Sequence, residues 1–216
     1  MNKINQFGRS MVEMLGVLAI IGVLSVGSIA GYSTAMRKYR LNKQAEAFNM
    51  LLSNTLQVSI DITKAKSGGI NNDIYYNEFL HKAKLLPDGI EYKKESWNMV
   101  EYTKKDQLND FLGNKMSFYS RTTYGYSFGL FFALANTADS KDICHNIINI
   151  AKEHASNIMM VLREDETGGG NADRNRIYSD CNQGTCLKNL TVQDIAEMCK
   201  TSSKNTKSYY RFFILW

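Results

Sequence analysis

From Met14 to Met36 the chain runs twenty-three residues without a charged side chain. A helix needs about 20 predominantly apolar residues to cross the hydrocarbon core of a bilayer, so this stretch is of membrane length. It is entered through Gly8-Arg9-Ser10-Met11-Val12-Glu13. Glu13 is the acidic residue at its start, and a carboxylate so close to hydrocarbon is costly enough to be read as functional, with a partner to be named.

A secretory signal has a basic start, a shorter apolar core and a small-residue cleavage site beyond that core. This chain reverses the order. A polar leader of eight residues, Met1-Asn-Lys-Ile-Asn-Gln-Phe-Gly8, precedes the apolar run, and Glu13 follows Gly8 by five positions. On these residues the chain resembles the type IV prepilins. The resemblance implies cleavage between Gly8 and Arg9 by a dedicated prepilin peptidase and N-methylation of the new terminus by the same enzyme. The apolar helix then stays on the mature protein, with Glu13 as its fifth residue. Arg9 departs from the family pattern, which usually places an apolar residue there. The proline that many pilins carry in this helix is also absent, and Gly16, Gly22, Gly27 and Gly31 interrupt it instead.

With 216 residues and one proline, the chain has room after the helix for one globular domain of ordinary size. The formal charge of +5 is mild, and no basic run is interleaved with a recognisable module, so no nucleic-acid partner is expected. Cys144, Cys181, Cys186 and Cys199 all fall in the last third. An even number of cysteines behind a membrane segment points to disulfides in an oxidising compartment. Arg37, Lys38, Arg40 and Lys43 crowd the far end of the apolar run, and counted alone they would hold that end in the cytoplasm. Long domains translocate largely regardless of flanking charge, and the cysteines call for oxidation, so the expected orientation keeps the N-terminus in the cytoplasm.

Beyond the apolar run Leu41, Ala45, Phe48, Leu52, Leu56 and Ile60 recur at steps of three and four, which continues the helix as an amphipathic one. Residues 10–64 then form one rod on the order of 80 Å long. A short helix is expected over 75–85, closed by the turn Leu86-Pro87-Asp88-Gly89. Strand signals cover 97–102, 115–120 and 124–134. A helix over 139–155, a buried strand over 158–162, a polar glycine-rich loop over 164–176, a Thr-capped helix over 191–199 and a strand over 209–216 complete the reading. The sum is α+β, a long helix packed on an antiparallel sheet head in an α/β roll. The expected divisions are the leader 1–8, the apolar half-helix 9–36, the amphipathic half-helix 37–66 and the head 67–216.

Spacing alone leaves three disulfide pairings open. The order of helix, cysteine and final strand is similar to that of type IVb pilins, and this resemblance implies a Cys144–Cys199 bridge. Cys181 and Cys186 then pair locally across Asn-Gln-Gly-Thr, which supplies turn residues for a small ring. A zinc site is the competing reading, but there is no Cys-x-x-Cys knuckle, and His145 and His154 fall on opposite helix faces. Glu164, Asp165, Glu166 and Asp173 lie where a similar loop in secretion pseudopilins binds calcium, yet their spacing matches no EF-hand. No metal or cofactor is expected. Neither a nucleophile elbow, a His-Glu-x-x-His pair nor a phosphate loop is present, so no enzyme is expected.

The resemblance implies a structural subunit of a type IVb-like pilus. It would be held first in the inner membrane with a periplasmic head, then polymerised with copies of itself into a surface filament by an assembly ATPase and platform protein. Arg9 and Glu13 are the expected assembly residues, the α-amino group of Arg9 in one subunit donating to Glu13 of a neighbour. Two other readings stay open: a type II secretion pseudopilin, and a membrane-tethered exoprotein that binds a ligand through loops between Glu164 and Cys186.

Overall fold

The computed structural model describes residues 7–65, 74–94, 106–120, 127–134, 137–165, 173–200 and 210–216. A single helix, α1, spans Phe7–Ala65. The chain divides into two compact units, Met1–Asn42 and Lys43–Trp216. In the first, every described side chain from 11 to 40 is exposed.

In the second unit α1 buries Gln44, Ala47, Phe48, Leu51, Leu52, Thr55, Val58 and Ser59. This face is displaced from the stripe that apolar spacing predicts. Ile60 is 48% exposed, while the polar Gln44, Thr55 and Ser59 are inside. The hydroxyls tolerate burial because they turn back on their own helix: Thr55 Oγ1 donates to Leu52 O at 2.9 Å and Ser59 Oγ to Leu56 O at 2.7 Å. A buried polar group with its bond made costs little.

The remaining elements are β1 (Ile74–Tyr75), α2 (Asn77–Lys82), β2 (Ile90–Lys93), β3 (Gln107–Asp110), β4 (Lys115–Ser120) and β5 (Phe128–Ala133). They are followed by α3 (Ser140–Glu153), β6 (Met160–Asp165), β7 (Asp173–Tyr178), α4 (Val192–Met198) and β8 (Tyr210–Leu215). The strands form one sheet in the order β2-β3-β4-β5-β8-β6-β7, with β1 beside β4. Every strand pairing in it is antiparallel. Strand β8 lies in the middle, where Ile214 stands opposite Leu130 on one side and Val161 on the other.

Three expectations are corrected. The loop expected over 164–176 is largely a hairpin: β6 runs to Asp165 and β7 begins at Asp173, in register from Met160↔Tyr178 to Asp165↔Asp173. Its polar composition suits an edge strand, which needs little apolar surface. The helix expected over 75–85 is shorter, because Ile74 and Tyr75 pair with Ser120 and Tyr119 of β4. Strands β2 and β3 stand where no strand was expected, and the strand expected over 97–102 lies outside the described residues.

Strand side chains alternate between faces. Phe132 meets Phe48 of α1 edge-on, ring centroids 5.1 Å apart, so Phe128 and Leu130 also face the helix. Such a pair adds about 0.5–1.5 kcal/mol beyond its burial. The opposite face carries a second apolar cluster of Tyr119, Phe131, Ala133 and Leu215. Strand β5 is therefore buried on both faces, and an alternating apolar pattern is not required of it.

Four polar side chains five residues apart tie α1 to four different parts of this unit. Gln44 bonds the carboxylate of Asp110 at the β3–β4 turn. Asn49 Oδ1 lies 2.7 Å from His154 Nε2 just beyond α3, and since a carbonyl oxygen only accepts, the imidazole donates. Asn54 Nδ2 donates to Leu85 O at 2.7 Å. Ser59 Oγ accepts from the indole Nε1 of Trp216 at 2.8 Å. At 100° per residue Gln44 sits near the centre of the buried face and Ser59 towards one side of it, with Asn49 and Asn54 outside its two edges. The ties therefore fix rotation as well as position.

Candidate membrane and assembly surface

The first unit holds the residues that the sequence singled out. Thirteen large apolar side chains between Met11 and Tyr32 are each more than half exposed, from Ile21 at 53% to Val23 at 75%. Burying one such side chain is worth about 1.5–3 kcal/mol, so leaving all of them in water forfeits on the order of 20 kcal/mol. Among the described residues α1 is the helix long and apolar enough to cross a membrane, and its apolar window is not buried within the chain at all.

The polar groups inside this stretch suit a medium without water. Ser25 and Ser28 donate to Ile21 O and Leu24 O, both at 2.7 Å, and Thr34 donates to Ala30 O at 3.1 Å. Each of these three hydroxyls is satisfied one turn back, as hydrocarbon demands. A Cβ added at Gly16, Gly22, Gly27 or Gly31 would meet no atom within 4 Å. Their smallness thus serves no packing among the described residues of this chain. Small residues in apolar helices let a second helix approach closely, and Gly27 and Gly31 have the four-residue spacing of such contacts.

The peptide bond between Gly8 and Arg9 lies in the first turn of α1. Glu13 stands four residues beyond Arg9 and is exposed, on the first turn of the apolar run.

The cysteines lie in the second unit. Cys144 of α3 and Cys199, the residue capping α4, form a disulfide with Cα atoms 5.8 Å apart, closing a separation of 55 residues. Cys181 and Cys186 form another across five, with Cα atoms 4.6 Å apart. The small ring is further held to the sheet where Tyr178 N donates to Thr185 O at 2.8 Å. Helix α4 opens on a capping box: Thr191 N donates to Asp194 Oδ2 at 2.8 Å and Asp194 N to Thr191 Oγ1 at 3.2 Å. These bonds from Thr191 hold the Asp194 carboxyl below its usual range.

His145 and His154 are not brought together as ligands: His154 is engaged with Asn49. Burial, with Lys141 nearby, pulls the His145 imidazole below its usual value. Glu164 and Asp165 fall in strand β6, where Glu164 stands between Arg174 and Arg211 in register. Glu166 lies outside the described residues. Among those described, no group of three or more His, Cys, Asp or Glu side chains could hold a metal ion. The sequence reading missed the four ties on α1, although their even spacing of five was visible. A polar residue on an amphipathic helix is read by default as solvent-facing.

No protein-family model matches the chain, and no curated protein matches it. Among solved structures it is similar to the crystal structure of a type IV b pilin from Salmonella typhi, with a TM-score of 0.45 and 13% identity. The match covers 81% of this chain and 97% of that one. The architecture stands on its own geometry: a long N-terminal helix whose second half packs on an antiparallel sheet, an α+β fold.

Proposed function

We propose that the chain is a structural subunit of a type IVb-like pilus, held in the inner membrane by the first half of α1 and then polymerised through that same half. One observation carries the reading. A helix whose far half is the core of a folded head continues into thirteen large apolar side chains that the chain itself leaves uncovered. Lipid covers them before assembly, and neighbouring helices cover them afterwards.

In this reading residues 1–8 are removed by a prepilin peptidase, and Glu13 accepts a charge-assisted bond from the α-amino group of Arg9 in the adjacent subunit. The physical motive is that a carboxylate carried into a helix core without a cation costs several kcal/mol more than one that is paired. An assembly ATPase and platform protein supply the extraction from lipid. The head is periplasmic before assembly and extracellular after it, in keeping with its two disulfides. A secretion pseudopilin would use the same half-helix in a shorter polymer.

The test co-expresses the chain with a prepilin peptidase and the assembly machinery. Mass spectrometry of the purified protein is expected to give an N-terminus at Arg9. Glu13→Ala is expected to insert in membranes and form both disulfides, yet give no filaments by electron microscopy. Normal filaments from that variant would refute the pairing.

A further inference from the structure

We infer that the turn Arg37-Lys38-Tyr39-Arg40 is a collar for the phosphates of anionic lipid headgroups, an interaction that rests on the membrane-spanning reading of α1 but is separate from assembly. Three observations converge on it. The first is depth. The uncharged run from Met14 to Met36 comprises twenty-three residues, which at 1.5 Å each rise about 35 Å, against a hydrocarbon core of about 30 Å. With the run centred in the bilayer, Arg37 is the first residue to emerge among the headgroups.

The second is azimuth. An α-helix takes 3.6 residues per turn, so four consecutive positions face all sides of it. Here they are three cations and a tyrosine, all exposed, Tyr39 by 57%. A protein partner reads one face of a helix. Arg40, Arg37 and Lys38 span about 160° of the circumference and Tyr39, itself an interfacial side chain, covers the opposite side, so that headgroup-favouring side chains on every side match a partner that surrounds the helix, which a plane of headgroups does.

The third is company. Tyr32, 68% exposed, precedes the collar by about one and a half turns and Tyr39 lies within it, the interfacial placement that tyrosine favours. No acidic residue occurs between Glu13 and Glu46, so the net charge of the collar's neighbourhood is positive. Basic residues beside a membrane attract anionic lipid, an effect that dies within a Debye length. The guanidinium groups of Arg37 and Arg40 add forked hydrogen bonding to phosphate oxygens.

The test reconstitutes the full chain into phosphatidylcholine vesicles containing trace spin-labelled phosphatidylglycerol or spin-labelled phosphatidylcholine, and measures the motionally restricted fraction of each. The wild type is expected to favour the anionic lipid about three- to tenfold. The triple variant Arg37→Gln, Lys38→Gln, Arg40→Gln is expected to fall to less than twofold while keeping its restricted phosphatidylcholine. Near-equal fractions in the wild type, or a preference that survives the triple variant, would overturn the collar and leave the membrane reading standing. No restricted fraction for either lipid would overturn both. Inorganic phosphate added at constant ionic strength is expected to leave the preference unchanged, and its loss would mean that the collar takes free anions rather than lipid.

Discussion

The indole Nε1 of Trp216 donates a 2.8 Å hydrogen bond to Ser59 Oγ, joining the end of the last strand to the long helix across 157 positions of sequence. The same ring stacks on Phe118 at 5.9 Å, and the Trp216 backbone exchanges hydrogen bonds with Phe128. The helix, the middle of the sheet and the final residue are thus fastened at one place.

Ser59→Ala removes the acceptor and leaves the indole N–H without its bond, a change expected to cost about 1–2 kcal/mol. Trp216→Phe removes the donor while keeping an aromatic ring on Phe118. Urea unfolding of the full chain in mild detergent checks both, and Ser59→Ala combined with Trp216→Phe should cost less than the two single changes added together.

The two disulfides differ in the length of chain they close. In the loop-entropy account, closing 55 residues is worth about 4 kcal/mol and closing five about 2 kcal/mol. Paired replacement of Cys144 and Cys199 by Ala should therefore lower the unfolding midpoint well below that of the Cys181 and Cys186 pair.

Gly129 has no room for a side chain. A Cβ there would lie 2.8 Å from both Cζ and the hydroxyl oxygen of Tyr119 and 2.9 Å from Leu215 Cδ2. Gly129→Ala is expected to destabilise by about 1–3 kcal/mol through displacement of the Tyr119 ring. Gly16→Ala, which meets nothing within 4 Å, should leave head unfolding unchanged.

Asp110 sets a pH dependence. Its carboxylate accepts from Asn114 Nδ2 at 2.7 Å, Asn114 N at 2.8 Å and Leu112 N at 2.9 Å, and also from Gln44. Burial nevertheless outweighs these bonds and raises the carboxyl above its ordinary value. A group whose folded pKa is raised contributes stability that is full below the unfolded pKa and is lost as pH rises through the folded one. Relative to Asp110→Asn, the wild type should therefore gain stability as pH falls from neutral towards 4. Denaturant unfolding at three pH values measures the slope, and a slope of opposite sign would mean that the hydrogen bonds dominate.

Much of this was legible in the residues. The uncharged run, the amphipathic continuation, α3, the Thr191 cap and strands β4, β5, β6 and β8 all carry strong local patterns. Strand β7 did not, because Asp173-Arg-Asn-Arg-Ile-Tyr178 sits at the sheet edge and is mostly polar, with Ile177 buried. Strand β3, Gln107-Leu-Asn-Asp110, buries Gln107 and Asp110 beside its one apolar residue, Leu108, and its order comes from partners distant in sequence. The buried face of α1 was misplaced for a related reason: Thr55 and Ser59 satisfy their own hydroxyls and so pack as small apolar groups. In the candidate site, Gly8, Arg9 and Glu13 were read from their order along the chain, whereas the collar needed the geometry of one helical turn.

The position of β8 has a consequence for biogenesis. Until it arrives, β2 to β5 and β6 with β7 are two separate ribbons with no strand to join them. Synthesis from the N-terminus therefore completes helix α1 and seven strands before the sheet can close, and its continuity hangs on β8 alone.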